Sequence, residues 1–300
     1  MNKEEAIKKF ALQRPESRAV YGYGSGVFKQ ASSKGKPLTD VIFLVDDIKD
    51  WHLTNMRMNP KDYSLLGKVY LSKSSLEKIK GINGITYFSE INGGEYTFKY
   101  GVIEVLDFIN GLDTWGNIFM AGRFHKPVLE LKSETKIRDS IDYNRRCALM
   151  IACLFCDKEV TDREIYNKLC GLSYLGDARM AIAENPHKVE NIVEGSYDKL
   201  KEIYPLTESF LTSIDGDRYC INHQIILSRI SELPEALLEY LYDKGTDFKD
   251  IDMLCINIYE YLTSKNKIES RAQIIQGVKT NGVLRSIPYA LAKVKKRFSK

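Results

Sequence analysis

The chain has 300 residues, of which 44% are apolar and 28% charged, enough length and apolar content to bury a core, which excludes a disordered or fibrous chain. No run approaches the ~18 consecutive apolar residues of a membrane span, and the opening MNKEEAIKKF reads neither as a secretory signal nor as a transit peptide. The net charge of +4 is unevenly held: residues 270–300 carry eight basic residues and no acidic one, so the rest of the chain is net negative and the positive charge belongs to a C-terminal segment.

Up to about residue 131, short strand-like runs alternate with turns and helices. Ala19–Tyr21 comes first, a glycine loop and a helix start near Val27 follow, then Val41–Val45, Gly84–Phe88, Tyr96–Leu106 and Val128–Leu131. This pattern predicts a mixed sheet with helices. Beyond residue 134 the pattern turns helical. Ile137–Phe155 has helical period, and Thr161-Asp-Arg-Glu164 is a capping box opening the next helix. Asn185-Pro186 marks a start with proline in the first turn, and Glu232–Tyr242 is a further helix. A short strand pair around Arg218–Ile226 supplies a wing. The fold expected is α+β, with units over 1–133, 134–263 and 264–300.

The cysteines Cys147, Cys153, Cys156, Cys170, Cys220 and Cys255 lie scattered through helical stretches. Cys153 and Cys156 form a lone CxxC with no second pair, whereas a zinc site needs four convergent ligands. They read as packing residues in a reducing compartment.

The stretch YGYGSGVFKQ, residues 21–30, sets Gly22, Gly24 and Gly26 around Ser25. Glycine lets backbone N–H groups close on an anion. The spacing GxGxG is neither the dinucleotide fingerprint nor a P-loop, and alone it reads equally well as a structural turn. With Asp40 leading the run VIFLV, it resembles the nucleotidyltransferase motif of a Gly-Ser loop followed by a strand-borne aspartate. In that resemblance the loop amides and Ser25 hold a triphosphate, and Asp40 holds the Mg²⁺ that neutralises charge at the reacting phosphorus. Such strands usually carry a second acid two residues on, and here that position is Ile42. Asp46 stands about 20 Å from Asp40 along a straight strand. A second carboxylate has to come from a neighbouring strand, and Glu104 in YGVIEV is the candidate, an exposed strand glutamate being the other reading.

In order along the chain, YGYGSGVFKQ, LTDVIFLVDD, WHLTNMRMNPKDYS, KYGVI, WGNIFMAGRFHKPV and GLSYLGDARM resemble one family. It is the mitochondrial translocator assembly and maintenance family, the mitochondrial-type CDP-diacylglycerol synthases. The match runs from residue 21 to about 180, with weaker echoes at 191–193 and 274–278. The resemblance implies transfer of CMP from CTP to phosphatidic acid, with Mg²⁺, giving CDP-diacylglycerol and pyrophosphate. It also implies a nucleotidyltransferase-type mixed sheet, a winged-helix-like helical unit and a C-terminal membrane-contacting amphipathic helix. Asp40 is then the catalytic acid and metal ligand, and Tyr23, Gly24, Ser25, Gly26, Arg123 and Lys126 bind the nucleotide. Asp177 and Arg179 make interdomain or substrate contacts. The family usually has serine where this chain has Glu104.

Read from the residues alone, Arg123 and Lys126 are equally two charges on a solvated turn, although arginine matches a phosphate bidentately and lysine serves as a point charge. His125 between them reads as a surface histidine. His52, Asn55 and Asn59, at helical spacing, either face the nucleotide or satisfy buried backbone groups. The nucleophile, a phosphate oxygen, is already anionic and needs no strong base, so positioning and charge neutralisation carry the reaction.

At the C-terminus Leu284, Ile287, Leu291, Val294 and Phe298 form an apolar stripe, flanked by Arg285, Lys293, Lys295, Lys296 and Arg297. Pro288 falls in the first turn of that helix. The pattern suits an anionic membrane surface; a basic helix packed on its own protein, or a nucleic-acid contact, are the other readings, and no nucleic acid is expected from the resemblance. The absence of a transit-like leader points to a bacterial protein on the cytoplasmic face of the cell membrane, or to the mitochondrial matrix face if the sequence is organellar. A different acceptor, or a non-catalytic assembly factor, remains the alternative function.

Overall fold

The computed structural model describes residues 2–24, 26–28, 38–177, 180 and 186–281, with the side chains of Leu66 and residues 277–281 outside that description. Ser25, Arg179 and the basic positions Arg285, Lys293, Lys295, Lys296 and Arg297 therefore lie outside the described residues.

The run VIFLV becomes the middle of a strand because it is covered on both faces. The main sheet contains β1 (Ala19–Tyr23), β2 (Thr39–Val45), β3 (Ile85–Asn92), β4 (Thr97–Glu104) and β5 (Leu129–Lys132), in the order β3–β4–β2–β1–β5. Central β2 pairs parallel with β4 and antiparallel with β1. A strand buried on both sides reads as a continuous apolar run rather than an alternation. On one face Val41, Phe43, Tyr100 and Val102 pack under α1 (Lys3–Leu12) and α2 (Ile48–Met58). Phe10 of α1 stacks on Phe98 at 3.9 Å. On the other face Tyr21, Ile42, Leu44 and Ile103 pack under α5 (Val105–Thr114), α6 (Ile118–Phe124) and the first turns of α7 (Thr135–Leu154). Between β2 and β3 come α3 (Leu65–Lys73) and α4 (Leu76–Lys80).

Helix α7 belongs to two cores. Its Ile137 and Ile141 pack under the main sheet, while Cys147–Leu154 enter a second core. That core gathers α8 (Asp162–Gly171), α9 (Lys188–Ile203), α10 (His223–Ser228), α11 (Glu235–Asp243) and part of α12 (Ile251–Asn281). Beside it lies a small sheet of β6 (Glu159–Thr161), β7 (Leu211–Asp215) and β8 (Arg218–Ile221), in the order β6–β8–β7. The capping box at Thr161 and Glu164 forms as expected. The cysteines are all free, and burial pushes the Cys147 and Cys156 thiols up to about 12, as packing residues require.

Several boundaries move. The strand expected over Tyr96–Leu106 ends at Glu104, because Val105 and Leu106 open α5. The pair expected at Arg218–Ile226 is instead Leu211–Asp215 with Arg218–Ile221, and Asn222 caps a helix that takes Ile226 into the core. The helix expected from Glu232 begins at Glu235, after Pro234. The boundary expected at 264 falls inside α12, which runs unbroken for 31 residues. Among the described residues no helix is long and apolar enough to cross a membrane.

Helix α12 binds the first part of the chain through buried polar contacts. The Glu269 carbonyl accepts from Asn83 Nδ2 at 3.0 Å, Gln276 Nε2 donates to the Ile79 carbonyl at 2.9 Å, and Glu269 Oε1 accepts from the Ile118 amide at 2.9 Å. Burial pushes the Glu269 carboxyl from 4.5 up to about 7, against the opposing pull of the Ile118 amide, Lys265 and Arg123. A raised carboxyl favours the folded state below pH 4.5, and that contribution is lost as the pH rises through 7. Removing it with Glu269→Gln should flatten the pH dependence of thermal stability across that interval, worth about 3 kcal/mol; an unchanged slope by calorimetry contradicts the assignment.

Candidate active site

Strand β1 ends where Tyr23 stands opposite Asp40 of β2. The next residue, Gly24, has φ +74°, a backbone region that L side chains rarely adopt. The amides of Val27 and Phe28 both donate to the Gly24 carbonyl at 3.0 Å, closing a tight turn. At Gly26 an added Cβ would stand 2.0 Å from the Leu38 carbonyl oxygen, so the turn rests directly on the backbone entering β2. At Gly24 it would stand 3.3 Å from Asp40 Oδ2. The glycine loop and the aspartate are built against each other.

The parallel register of β2 and β4 sets Lys99 opposite Asp40. Lys99 Nζ stands 3.8 Å from Asp40 Oδ1 and 4.5 Å from the centre of the Tyr87 ring. That ring lies over Gly101, where a Cβ would come within 2.7 Å of it. The Tyr23 hydroxyl donates to the Tyr87 hydroxyl at 3.3 Å. Burial, Tyr87 and then Asp40 hold the Tyr23 hydroxyl well above its ordinary range, with Arg123 pulling the other way. Arg123, from the last turn of α6, lies 3.6 Å over Phe119 and 5.9 Å from both tyrosine rings. The Asp40 carboxylate, the Lys99 ammonium and the Arg123 guanidinium thus gather around a tyrosine pair.

A metal fits this donor set in one way. Among the described residues no three or more His, Cys, Asp or Glu side chains converge. Mg²⁺ takes one or two carboxylates together with substrate phosphates, and Asp40, with about a fifth of its side chain exposed, beside the loop offers the protein's share.

Tyr23, Gly24, Gly26, Asp40 and Arg123 are therefore brought together. Glu104 is not. It pairs with Val45, at the far end of the same two strands from Asp40 and Lys99, about 16 Å away. Its carboxylate accepts from the Ile48 amide and pairs with Lys80. The expectation that Glu104 shares a metal with Asp40 is corrected: it is on a neighbouring strand but at the wrong end. Lys126 donates to the Gly122 carbonyl and Ser173 Oγ, with Tyr174 alongside. Asp177 is buried in the segment that follows α8. His125 is buried rather than exposed; its Nε2 meets Asn144 Oδ1 at 3.2 Å, and burial lowers its pKa to about 3. His52 and Asn55 lie under the sheet face opposite to Asp40, both bonded to the Tyr63 hydroxyl.

The sequence profile that matches residues 4–296 is the Tam41/Mmp37 family, described as "Phosphatidate cytidylyltransferase, mitochondrial". The chain belongs to this family. It is thereby an enzyme of the nucleotidyltransferase class. Relatives bearing the same description include one from Schizosaccharomyces pombe, 34% identical over 95% of this chain and 81% of its own length. Another, from Saccharomyces cerevisiae, is 32% identical over 92% of this chain and 66% of its own length. The rat protein is 28% identical over 97% of this chain and 94% of its own length.

Two residues that the structure sets around Asp40, Tyr87 and Lys99, are not marked by a motif. Lys99 opens the block KYGVI, and only strand register could have aligned it with Asp40. The clamp at Gly26 gives a direct check. Gly26→Ala must displace the backbone at Leu38 and Thr39, so kcat/KM should fall by at least about tenfold while the melting temperature drops modestly. Wild-type kinetics would contradict the close contact.

Proposed function

We propose that this enzyme transfers CMP from CTP to phosphatidate at a membrane surface, with Asp40 as the Mg²⁺ ligand and the 22–26 loop as the triphosphate cradle. The observation that carries the reading is the Asp40 carboxylate set against the Gly24 backbone, with Lys99 and Arg123 both beside the tyrosine pair. Family membership supplies the two substrates.

A phosphate oxygen of phosphatidate attacks the α-phosphorus of CTP in line, the new P–O bond forming as the bond to pyrophosphate breaks. The nucleophile is already anionic, so no general base is called for. The difficulty is bringing two anions together, and Lys99 and Arg123 reduce it by offsetting charge in a partly buried site. The metal, when bound, supplies further charge neutralisation at the phosphates. The Tyr23–Tyr87 pair walls the site beside Arg123.

The finer architecture follows the same reading. A Gly-Ser loop leading to a strand-borne aspartate on a mixed sheet supports a nucleotidyltransferase-type domain over 1–133. The β7–β8 hairpin beside α7 and α8 supports a winged-helix-like unit over 134–263. Residues 264–300 begin within α12 and continue into the basic segment that we assign to the anionic membrane, each basic side chain contributing ~1 kcal/mol near such a surface.

The deciding assay is labelled CTP with Mg²⁺ and phosphatidate liposomes, diacylglycerol serving as the control acceptor. A CMP-bearing lipid should form from phosphatidate alone. Asp40→Asn should abolish it, by at least about a thousandfold, while liposome binding is retained. Product from diacylglycerol, or an active Asp40→Asn enzyme, would overturn the reading.

A further inference from the structure

Helix α12 turns one polar edge toward the active site: Lys265, Glu269, Gln273 and Gln276 recur at helical spacing. Lys265 Nζ donates to the Gly116 carbonyl at 2.9 Å, just before α6, and Gln276 reaches Ile79. The two residues between them act on the element that carries Arg123. Glu269, 3% exposed, accepts the amide of Ile118 at the first position of α6 through Oε1, while its Oε2 is buried with no hydrogen-bond partner among the described residues. Gln273 Oε1 accepts from Arg123 Nη2 at 3.4 Å.

The helix so held has only 7 residues. Helices this short have little stability of their own, so the orientation of α6, and with it the reach of Arg123, is imposed from outside. Its middle is seated by Gly122, where a Cβ would come within 2.5 Å of Ser173 Cβ. Its start is seated by Glu269, and the guanidinium is steadied by Phe119 beneath it and Gln273 beside it. Gln273 is neutral. It takes one N–H of Arg123 without itself cancelling the charge.

We propose that Glu269 and Gln273 are positioning residues for the transfer reaction, holding α6 and the Arg123 guanidinium at the separation from Asp40 that the nucleotide phosphates span. The proposal rests on reading Arg123 as a phosphate-binding residue, and the test separates the two. Steady-state KM for CTP, kcat, and melting temperature are measured for Arg123→Ala, Gln273→Ala, Gln273→Glu, Glu269→Ala and Glu269→Gln in the full chain.

Gln273→Ala should raise the KM for CTP about three- to tenfold, with kcat changed less and the melting temperature held. Gln273→Glu should keep or raise the melting temperature, since it adds an ion pair to Arg123, yet weaken CTP binding at least as much, because the charge is spent. Glu269→Gln should rescue the KM lost in Glu269→Ala, since the amide oxygen still accepts from Ile118. If Arg123→Ala raises KM and both Gln273 variants leave it at the wild-type value, the positioning role is overturned and the Arg123 reading stands. An Arg123→Ala enzyme with wild-type KM overturns both. A parallel loss of kcat and melting temperature with KM unchanged marks a purely structural contact and also overturns the proposal.

Discussion

The parallel pairing of β2 with β4 is the constraint on which the site depends. It carries no chemistry itself, but it decides that Lys99, and not any other residue of β4, lies beside Asp40. Side chains alternate along a strand, so a slip of one residue would bring Phe98 or Tyr100 opposite Asp40 and turn the lysine away. The register is secured because both faces of β2 are buried: Val41 and Phe43 are committed to one core, Ile42 and Leu44 to the other. Any shift exchanges the two sets and costs the packing of both.

The electrostatics follow from that arrangement. The Asp40 carboxylate next to Lys99 is held in a defined place without being deeply buried. The arginine beside the tyrosine pair arrives from a different layer, α6, and stacks on Phe119.

Much of the centre of this site was legible in the amino-acid order. The continuous apolar run marked a doubly buried strand, and the glycines marked the close approach of the loop to Asp40 at the head of that run. The remainder depended on distances that periodicity does not encode. Glu104 was assigned to a neighbouring strand correctly, but pattern gives the face a residue occupies and not its height along the partner. Tyr87 and Lys99 become neighbours of Asp40 only through pairing. His125, between charged residues, reads as surface; it is drawn inside by Trp115 at the end of α5 and Asn144 of α7, the helices on either side of α6. The helix Ile251–Asn281 runs through the boundary expected at 264, because charge composition changes along the chain without ending a helix.

The contact between Glu269 and α6 has a consequence for biogenesis. During synthesis the strands bearing Asp40 and Lys99 leave the ribosome long before the residues that seat α6. A nascent chain can close its sheet and still lack the clamp proposed for Arg123, because Glu269 follows Ile118 by 151 residues. On that proposal the arginine is held in place only after Glu269 has emerged.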